Sequence, residues 1–210
     1  MNPNRSRLLQ DLEKARDSRV LVYVTGDRQG LETKIGSDVL DFFVHHLDAI
    51  GDGPRISLFL YTRGGDTLAA WSIANLILQF CDDLEVIVPA KAHSAGTLIS
   101  LAANRIVMTK QATLGPIDPS VNTPLNPGIQ GAPPNMKVPV SVEDVNGFIE
   151  FVRSVSEDSD HVREAFLRLT DAVNPLVLGN AFRARSQIRM LARKLMGDKY
   201  AKSDVVEGIL

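Results

Sequence analysis

The stretch "AKAHSAGTLISLAANRIV", Ala90–Val107, decides how this chain is interpreted. It places Lys91, His93 and Ser94 just ahead of a run of small and apolar residues with helical spacing. The segment before it, "LEVIVPA", residues 84–90, has the apolar, β-branched composition of a buried strand. A group of reactive side chains therefore stands where a strand ends and a helix begins.

A second turn of the same kind lies upstream. The strand-like "RISLFLYT", residues 55–62, leads into "RGGD", residues 63–66, and then into a helical pattern over residues 67–80. Helix N-termini leave backbone N–H groups unpaired, and glycine lets a backbone approach a ligand closely. Two such turns aimed at one point would form an oxyanion hole. Ser94 then stands where a nucleophile is expected, although a serine at a helix start is also an ordinary N-cap.

The rest of the chain alternates between strand and helix patterns. Around the two turns we expect helices over residues 5–17, 38–50 and 94–103, strands over 19–25 and 105–109, and a short extended piece over 112–119. This alternation is typical of right-handed βαβ crossovers and predicts an α/β fold with a parallel sheet.

We expect one domain over residues 1–210, with a core over about 19–121, a proline-rich loop over 122–139 and a helical part over 140–210. Within that helical part, Pro175 and the pair Gly179-Asn180 are expected to break helices.

Composition excludes several classes of protein. The 210 residues are 44% hydrophobic, which is enough for a good-sized core, and the net charge of -2 gives no basic face for nucleic acid. The single cysteine excludes an internal disulfide, and the histidines show no metal-ligand spacing, so we expect neither a metal nor a cofactor. The chain has no apolar run long enough for a membrane span and no signal-peptide pattern at its N-terminus, which predicts a cytoplasmic protein.

The combination of "LFLYTRGGD", "AKAHSAGTLISLAANRIVMT" and "LGPIDP" resembles the serine dehydrogenase proteinases of the signal peptide peptidase A clan, within the Clp protease/crotonase superfold. The resemblance covers about residues 21–121. It implies a spiral of βαβ units that assembles into a homo-oligomer, as rings or stacked discs. The family's catalytic serine falls on Ser94, and its oxyanion-hole amides fall on Gly64, Gly65 and Ala95.

The resemblance leaves the general base open. In Clp proteases the base is a later histidine, but no histidine occurs here between His93 and His161. In signal peptide peptidases it is a later lysine, whose pKa must be lowered by burial. Lys137, 43 residues beyond Ser94, is the candidate, against a solvated loop lysine, and Lys110 is a weaker one. A base from a neighbouring subunit, a base from a segment beyond this chain, and no base at all are the other outcomes.

Three further residues are expected near the substrate. Neighbouring side chains at such a turn generally diverge, so we expect His93 to line the pocket or pack beside it rather than take the proton of Ser94. Asp66 is either a helix cap or a group that orients the substrate. Asp118, in "LGPIDP", is either a turn residue or a polar group near the nucleophile.

These observations predict a soluble serine peptidase that acts on a peptide or protein through an acyl-enzyme on Ser94. The alternative is a catalytically weak or inactive ring-forming scaffold or regulatory subunit of the same fold. A crotonase-type acyl-CoA enzyme ranks last, because it would need acidic residues at turns where this chain has serine. Relatives implied by the resemblance continue into a closing segment, so the chain is either a short variant or truncated.

Overall fold

The computed structural model describes residues 3–118, 120–156 and 158–197. A short 3₁₀ turn, Ser37–Val39, precedes the second helix. In chain order, the helices and strands are α1 (Pro3–Arg16), β1 (Arg19–Val24), α2 (Leu40–Ile50), β2 (Gly53–Tyr61), α3 (Thr67–Leu78), β3 (Cys81–Val88), β4 (Lys91–Ala92), α4 (Ala95–Leu101), β5 (Arg105–Met108), β6 (Thr113–Leu114), β7 (Ser120–Val121), β8 (Val140–Ser141), α5 (Val142–Val155), α6 (Ser159–Ala172) and α7 (Pro175–Met196).

The chain divides into two compact units, and each is described by itself. The first unit contains the described residues up to 117 together with 191–197. The second unit contains residues 118–190, so that the boundary falls within α7.

A parallel sheet forms the centre of the first unit. Its strand order is β1-β2-β3-β5, with β1 at one edge. Val22 is opposite Phe59, Leu58 is opposite Val86, and Ile87 is opposite Val107. Because α2, α3 and α4 connect these strands in turn, the α/β architecture predicted from the alternating pattern is confirmed.

The core of this unit lies between the central strands and the connecting helices. Leu58 and Val86 of the strands and Ile73 of α3 are fully buried. Every residue of α4 is buried as well. Burial of each large aliphatic side chain contributes about 1.5–3 kcal/mol relative to exposure, so the sheet and α4 form a rigid support.

Short pairings extend the carboxyl edge of the sheet. In a second small sheet β4 pairs with β6, which places Lys91 opposite Thr113. Thr62, just after β2, forms a parallel bridge with Ala92. Since ligands of parallel α/β sheets bind beyond the carboxyl ends of the strands, this edge is where a site is expected.

The second unit begins with an antiparallel pair. β7 pairs with β8, and the amide of Asn126 donates to the carbonyls of Val121 (2.7 Å) and Val138 (2.9 Å). Asn126 is 2% exposed. A single buried asparagine therefore ties together the two ends of the proline-rich loop.

The predicted helix break at Gly179-Asn180 is wrong. Both residues lie inside α7, and Pro175 is the first residue of that helix. Proline suits this position because its missing N–H has no helical partner there. Glycine costs a helix about 1 kcal/mol, and the nearby burial of Val177 and Ala181 offsets that cost.

No helix in the described ranges is both long enough and apolar enough to cross a membrane.

A buried carboxylate links α1 to the sheet. Glu85 of β3 is 1% exposed. Arg16, at the end of α1, donates to both of its carboxylate oxygens, and the Ser57 hydroxyl donates to one of them over 2.9 Å. The hydrogen bond from Arg16 lowers the pKa of Glu85, against the opposing effect of burial. An unpaired buried carboxylate is costly, so this pair holds α1 against β3.

The lowered pKa of Glu85 predicts a specific pH dependence. Its contribution to stability is complete above the unfolded-chain pKa of 4.5 and is lost as the pH falls through the lower folded-state value. We expect the free energy of unfolding to fall more steeply below about pH 5 in the wild type than in Glu85→Gln, which cannot titrate there. Urea denaturation across this pH range measures both slopes.

A matched control is Glu164→Gln, because the Glu164 side chain is 68% exposed. This variant should follow the wild-type slope. Equal slopes for the wild type and Glu85→Gln would contradict the role given to Glu85.

Candidate active site

The two glycine-containing and serine-containing turns lie in direct contact. The Thr62 N–H donates to the Lys91 carbonyl over 3.0 Å, and the His93 N–H donates to the Thr62 carbonyl over 3.1 Å. A Cβ added to Gly64 would lie 2.7 Å from the Cβ of Ser94. Only glycine permits this approach, so the sequence pattern and the contact have one physical cause.

Ser94 has an unusual backbone conformation. Its φ of 52° and ψ of -118° lie outside the regions that non-glycine residues normally adopt. It precedes α4 but its hydroxyl makes no capping hydrogen bond, so it is not an ordinary side-chain N-cap. A half-buried serine on a strained strand-to-helix turn, with a hydroxyl free of the helix, is the geometry of a nucleophile elbow.

Two backbone N–H groups near Ser94, those of the half-buried Gly65 and the fully buried Ala95, are open in the sense that they are unpaired. Ile35 donates to the Gly64 carbonyl over 2.9 Å, and Asp66 donates to the Ile35 carbonyl over 2.8 Å, so this parallel bridge uses neither polar group of Gly65. Within the described part of the chain, no acceptor is bonded to the N–H of Gly65 or of Ala95. The Gly64 N–H differs, because it donates to the Thr62 hydroxyl over 3.0 Å.

Gly65 has no room for a side chain. Its φ is +154°, and an added Cβ would lie 2.3 Å from the Ile35 carbonyl oxygen. The backbone of Ile35 therefore packs directly against the Gly64-Gly65 turn and holds the Gly65 N–H in one orientation.

Lys91 is held in an ion pair. Its Nζ lies 3.0 Å from Oδ2 of Asp27, which also accepts a hydrogen bond from the Tyr61 hydroxyl over 2.5 Å. The hydrogen bond to Asp27 raises the pKa of Lys91, and the hydrogen bonds from Tyr61 and Lys91 lower the pKa of Asp27. Lys91 is therefore a cation at neutral pH and is unsuited to act as a base.

The His93 side chain also has a hydrogen-bond partner. Its Nε2 lies 2.8 Å from the Thr113 hydroxyl. Its ring packs on Gly115, where an added Cβ would lie 2.9 Å from the His93 Cγ. The ring thus connects the turn to β6. Its expected part in substrate binding stays a prediction.

The remaining candidates lie at other points of the chain. The Asp66 carboxylate caps α3 by accepting the Ala69 N–H over 2.6 Å, which is one of the two expected roles. Asp118 and Lys137 belong to the second unit. Asp118 accepts the Ser141 hydroxyl over 2.9 Å, and the half-buried Lys137 forms an antiparallel bridge with Gly128. Substrate binding by Asp66 and Asp118 and the role of Lys137 as the general base stay predictions.

The first unit thus brings together five predicted residues: Gly64, Gly65, His93, Ser94 and Ala95. Sequence reasoning missed Thr62 and Asp27. Both directly follow or nearly follow a parallel strand, at the sheet edge where ligands bind, and that position was the available signal.

No group of three or more His, Cys, Asp or Glu side chains in the described ranges could hold a metal ion.

Comparisons with known proteins show what the chain resembles. The family model of the ClpP-like SDH-type serine proteinases matches residues 1–146. Two uncharacterised proteins of Methanocaldococcus jannaschii are 37% and 34% identical over 125 residues, which cover 56% of this chain. The matched part spans only 43% and 42% of those relatives, less than half their length. A solved structure of a membrane-bound stomatin-specific protease aligns with a TM-score of 0.40 and 24% identity, covering 63% of each chain.

The strain at Ser94 predicts an inverted order of stability. Glycine adopts the backbone of position 94 without strain, so we expect Ser94→Gly to be more stable than Ser94→Ala by about 1 kcal/mol. At Ser100, inside α4, we expect the ordinary order, with the alanine variant about 1 kcal/mol more stable than the glycine variant. Urea denaturation of the four variants gives both differences, and the ordinary order at position 94 would argue against strain there.

Proposed function

The chain belongs to the ClpP-like SDH-type serine proteinases, and from this premise we propose that it is a serine peptidase that cleaves peptide bonds through an acyl-enzyme on Ser94.

One observation carries the proposal: the uncapped hydroxyl of Ser94 stands on a strained turn beside two open amides. Strained backbone persists where the surrounding structure enforces it, and such residues cluster at active sites. Here the buried α4 and the contact with Gly64 hold the turn in place. A turn that served only to begin a helix would require neither the strain nor the free hydroxyl.

The chemistry follows from these groups. Ser94 Oγ attacks the carbonyl carbon of the peptide bond while its proton passes to a base. The negative charge on the carbonyl oxygen is stabilised by backbone N–H donors, for which Gly65 and Ala95 are available. Collapse of this intermediate breaks the C–N bond, and the leaving amine takes the proton from the base. Water then attacks the Ser94 ester and gives a proton to the base. The bond between the acyl carbon and Oγ breaks, the base returns the proton to Oγ, and the carboxylic acid product leaves.

We propose Lys137 as the base. Lys91 and His93, the basic side chains closest in sequence to Ser94, are engaged by Asp27 and Thr113. A lysine acts as a base only when desolvation makes it neutral near the working pH. The flanking residues Met136 and Val138 are 50% and 42% exposed, so the desolvation of Lys137 has to come from bound substrate or from a neighbouring copy.

A second candidate function is a ring-forming scaffold or regulatory subunit with little or no turnover. The observation that favours it is the same engagement of Lys91 and His93, which leaves neither of them free to activate Ser94. In that case the fold and the open amides are present but the proton has no acceptor.

We also propose that the chain forms a homo-oligomer. Among the exposed large apolar side chains of the first unit are Val22 and Val24 on the edge strand β1, at 49% and 55%, and Phe42 on α2, at 67%. A shallow pocket of about 240 Å³ lies between that strand and α2. Exposed apolar groups beside an unpaired strand edge are typical of a surface that packs against another chain.

The nucleophile can be tested by covalent labelling. A fluorophosphonate should attach to Ser94 in the wild type, and Ser94→Ala should abolish the labelling because the reaction requires the Ser94 hydroxyl beside the unpaired amides. The control is Ser154→Ala, an exposed serine on α5, which should label as the wild type does. Equal labelling of the wild type and Ser94→Ala would refute the assignment, and an unlabelled but regularly assembled wild type would favour the scaffold.

The base can be tested with labelled casein. Lys137→Met should lower the rate of hydrolysis by about 10²–10⁴-fold, the usual contribution of a general base. Lys14→Met, which replaces an exposed lysine of α1, is the matched control and should retain the wild-type rate. Full activity in Lys137→Met would exclude Lys137 from the mechanism.

A further inference from the structure

Thr62 connects the two turns of the candidate site. It follows β2 directly, it is fully buried, and its backbone N–H and C=O bond to Lys91 and His93 on the serine side. Its hydroxyl bonds to the glycine side, where it accepts the Gly64 N–H over 3.0 Å. One residue therefore fixes both the serine turn and the glycine turn.

The Thr62 hydroxyl determines which amides remain open. Without it, the Gly64 N–H would be unpaired at the same turn as the Gly65 N–H. With it, the Gly64 N–H is occupied and the Gly65 and Ala95 N–H groups remain. A donor that already serves a buried hydroxyl cannot also point at an oxyanion without breaking that bond.

The hydroxyl is itself held in a fixed orientation. The Thr25 hydroxyl donates to Thr62 Oγ1 over 3.0 Å, so that two donors use its two lone pairs. Thr25 is 4% exposed and Thr62 is 0% exposed. In a buried site, hydrogen bonds of this kind are stronger than in water and water does not compete for them.

The Thr62 methyl group contacts the helix that follows Ser94. A Cβ added to Gly96 would lie 2.4 Å from Thr62 Cγ2. The Thr62 hydroxyl thus holds the glycine turn, and the Thr62 methyl group packs against the first turn of α4.

We infer that Thr62 is a positioning residue for the proposed hydrolysis: its hydroxyl binds the Gly64 N–H and so assigns the oxyanion to the Gly65 and Ala95 amides. This inference rests on the proposed function. It goes beyond that function in naming the residue that orients the donors and in separating Gly65 from Gly64.

The experiment uses the fluorophosphonate itself as the probe, because its tetrahedral adduct places an oxygen where the oxyanion forms. In Thr62→Val, which removes the hydroxyl and keeps the shape, the maximal labelling rate should fall by about 10–100-fold, while the concentration for half-maximal rate changes by less than about threefold. Thr62→Ser, which keeps the hydroxyl, should label within about threefold of the wild type. The ³¹P NMR shift of the Ser94 adduct should move in Thr62→Val and not in Thr62→Ser.

Ser57→Ala is the matched control for stability. Ser57 is another fully buried hydroxyl of β2, and it bonds to Glu85 instead of to the turn. It should lower the melting temperature without changing the labelling rate or the ³¹P shift.

Thr25→Val is the second variant, and it decides the question if Thr62→Val does not fold. It removes the donor to Thr62 and should lower the labelling rate by a smaller factor, about 3–10-fold.

The outcomes separate the two proposals. If the wild type is not labelled at Ser94, the proposed function and the inference fail together. If the wild type is labelled and Thr62→Val and Thr25→Val react equally well, the inference alone fails. It also fails if Ser57→Ala loses as much rate as Thr62→Val, or if Thr62→Ser does not restore it. A loss confined to the variants without the Thr62 hydroxyl, or without its donor, supports the inference.

Discussion

Two main-chain hydrogen bonds of Thr62, one to Lys91 and one from His93, hold the candidate site together. They join the end of β2 to the segment that carries Ser94, so the glycine turn and the serine turn are fixed to each other by backbone. Because the groups that would receive an oxyanion are also backbone groups, their positions depend on the sheet more than on any side chain. The buried α4 then holds Ser94 in a conformation that an isolated peptide would avoid.

The three reactive side chains ahead of α4 have different structural roles. Lys91 is tied to Asp27, beside the end of β1, and His93 is tied to Thr113 of β6. Each of these two bonds fastens the serine turn to a different neighbouring segment. Ser94 differs from Lys91 and His93 because its side chain makes no capping hydrogen bond. Lys91 and His93 therefore lie beside Ser94 because they support the turn. The base for the proposed reaction has to come from another part of the chain or from another chain of an assembly.

The parts of the structure that depend on local sequence could be predicted. Strand and helix periodicity indicated the α/β fold, and the "RGGD" and "HSAG" turns indicated the family to which the chain belongs. The partners of Thr62 and Asp27 could not be predicted, because Thr25 and Lys91 lie on or just after neighbouring strands whose register no local pattern encodes. The break expected at Gly179-Asn180 failed for a related reason: glycine propensity is local, whereas the burial of Val177 and Ala181 depends on tertiary packing.

The pairing of Arg16 with Glu85 has a consequence for how the chain can be shortened. Glu85 lies in a central strand of the sheet, and the arginine that donates to both of its carboxylate oxygens comes from α1, whereas Arg105 of β5 lies 3.8 Å away. A fragment that began at β1 would retain every strand of the main sheet but would leave the buried Glu85 carboxylate with only the Ser57 hydroxyl and the more distant Arg105 as partners. We therefore expect a chain without α1 to be less stable, although no residue of that helix belongs to the serine turn.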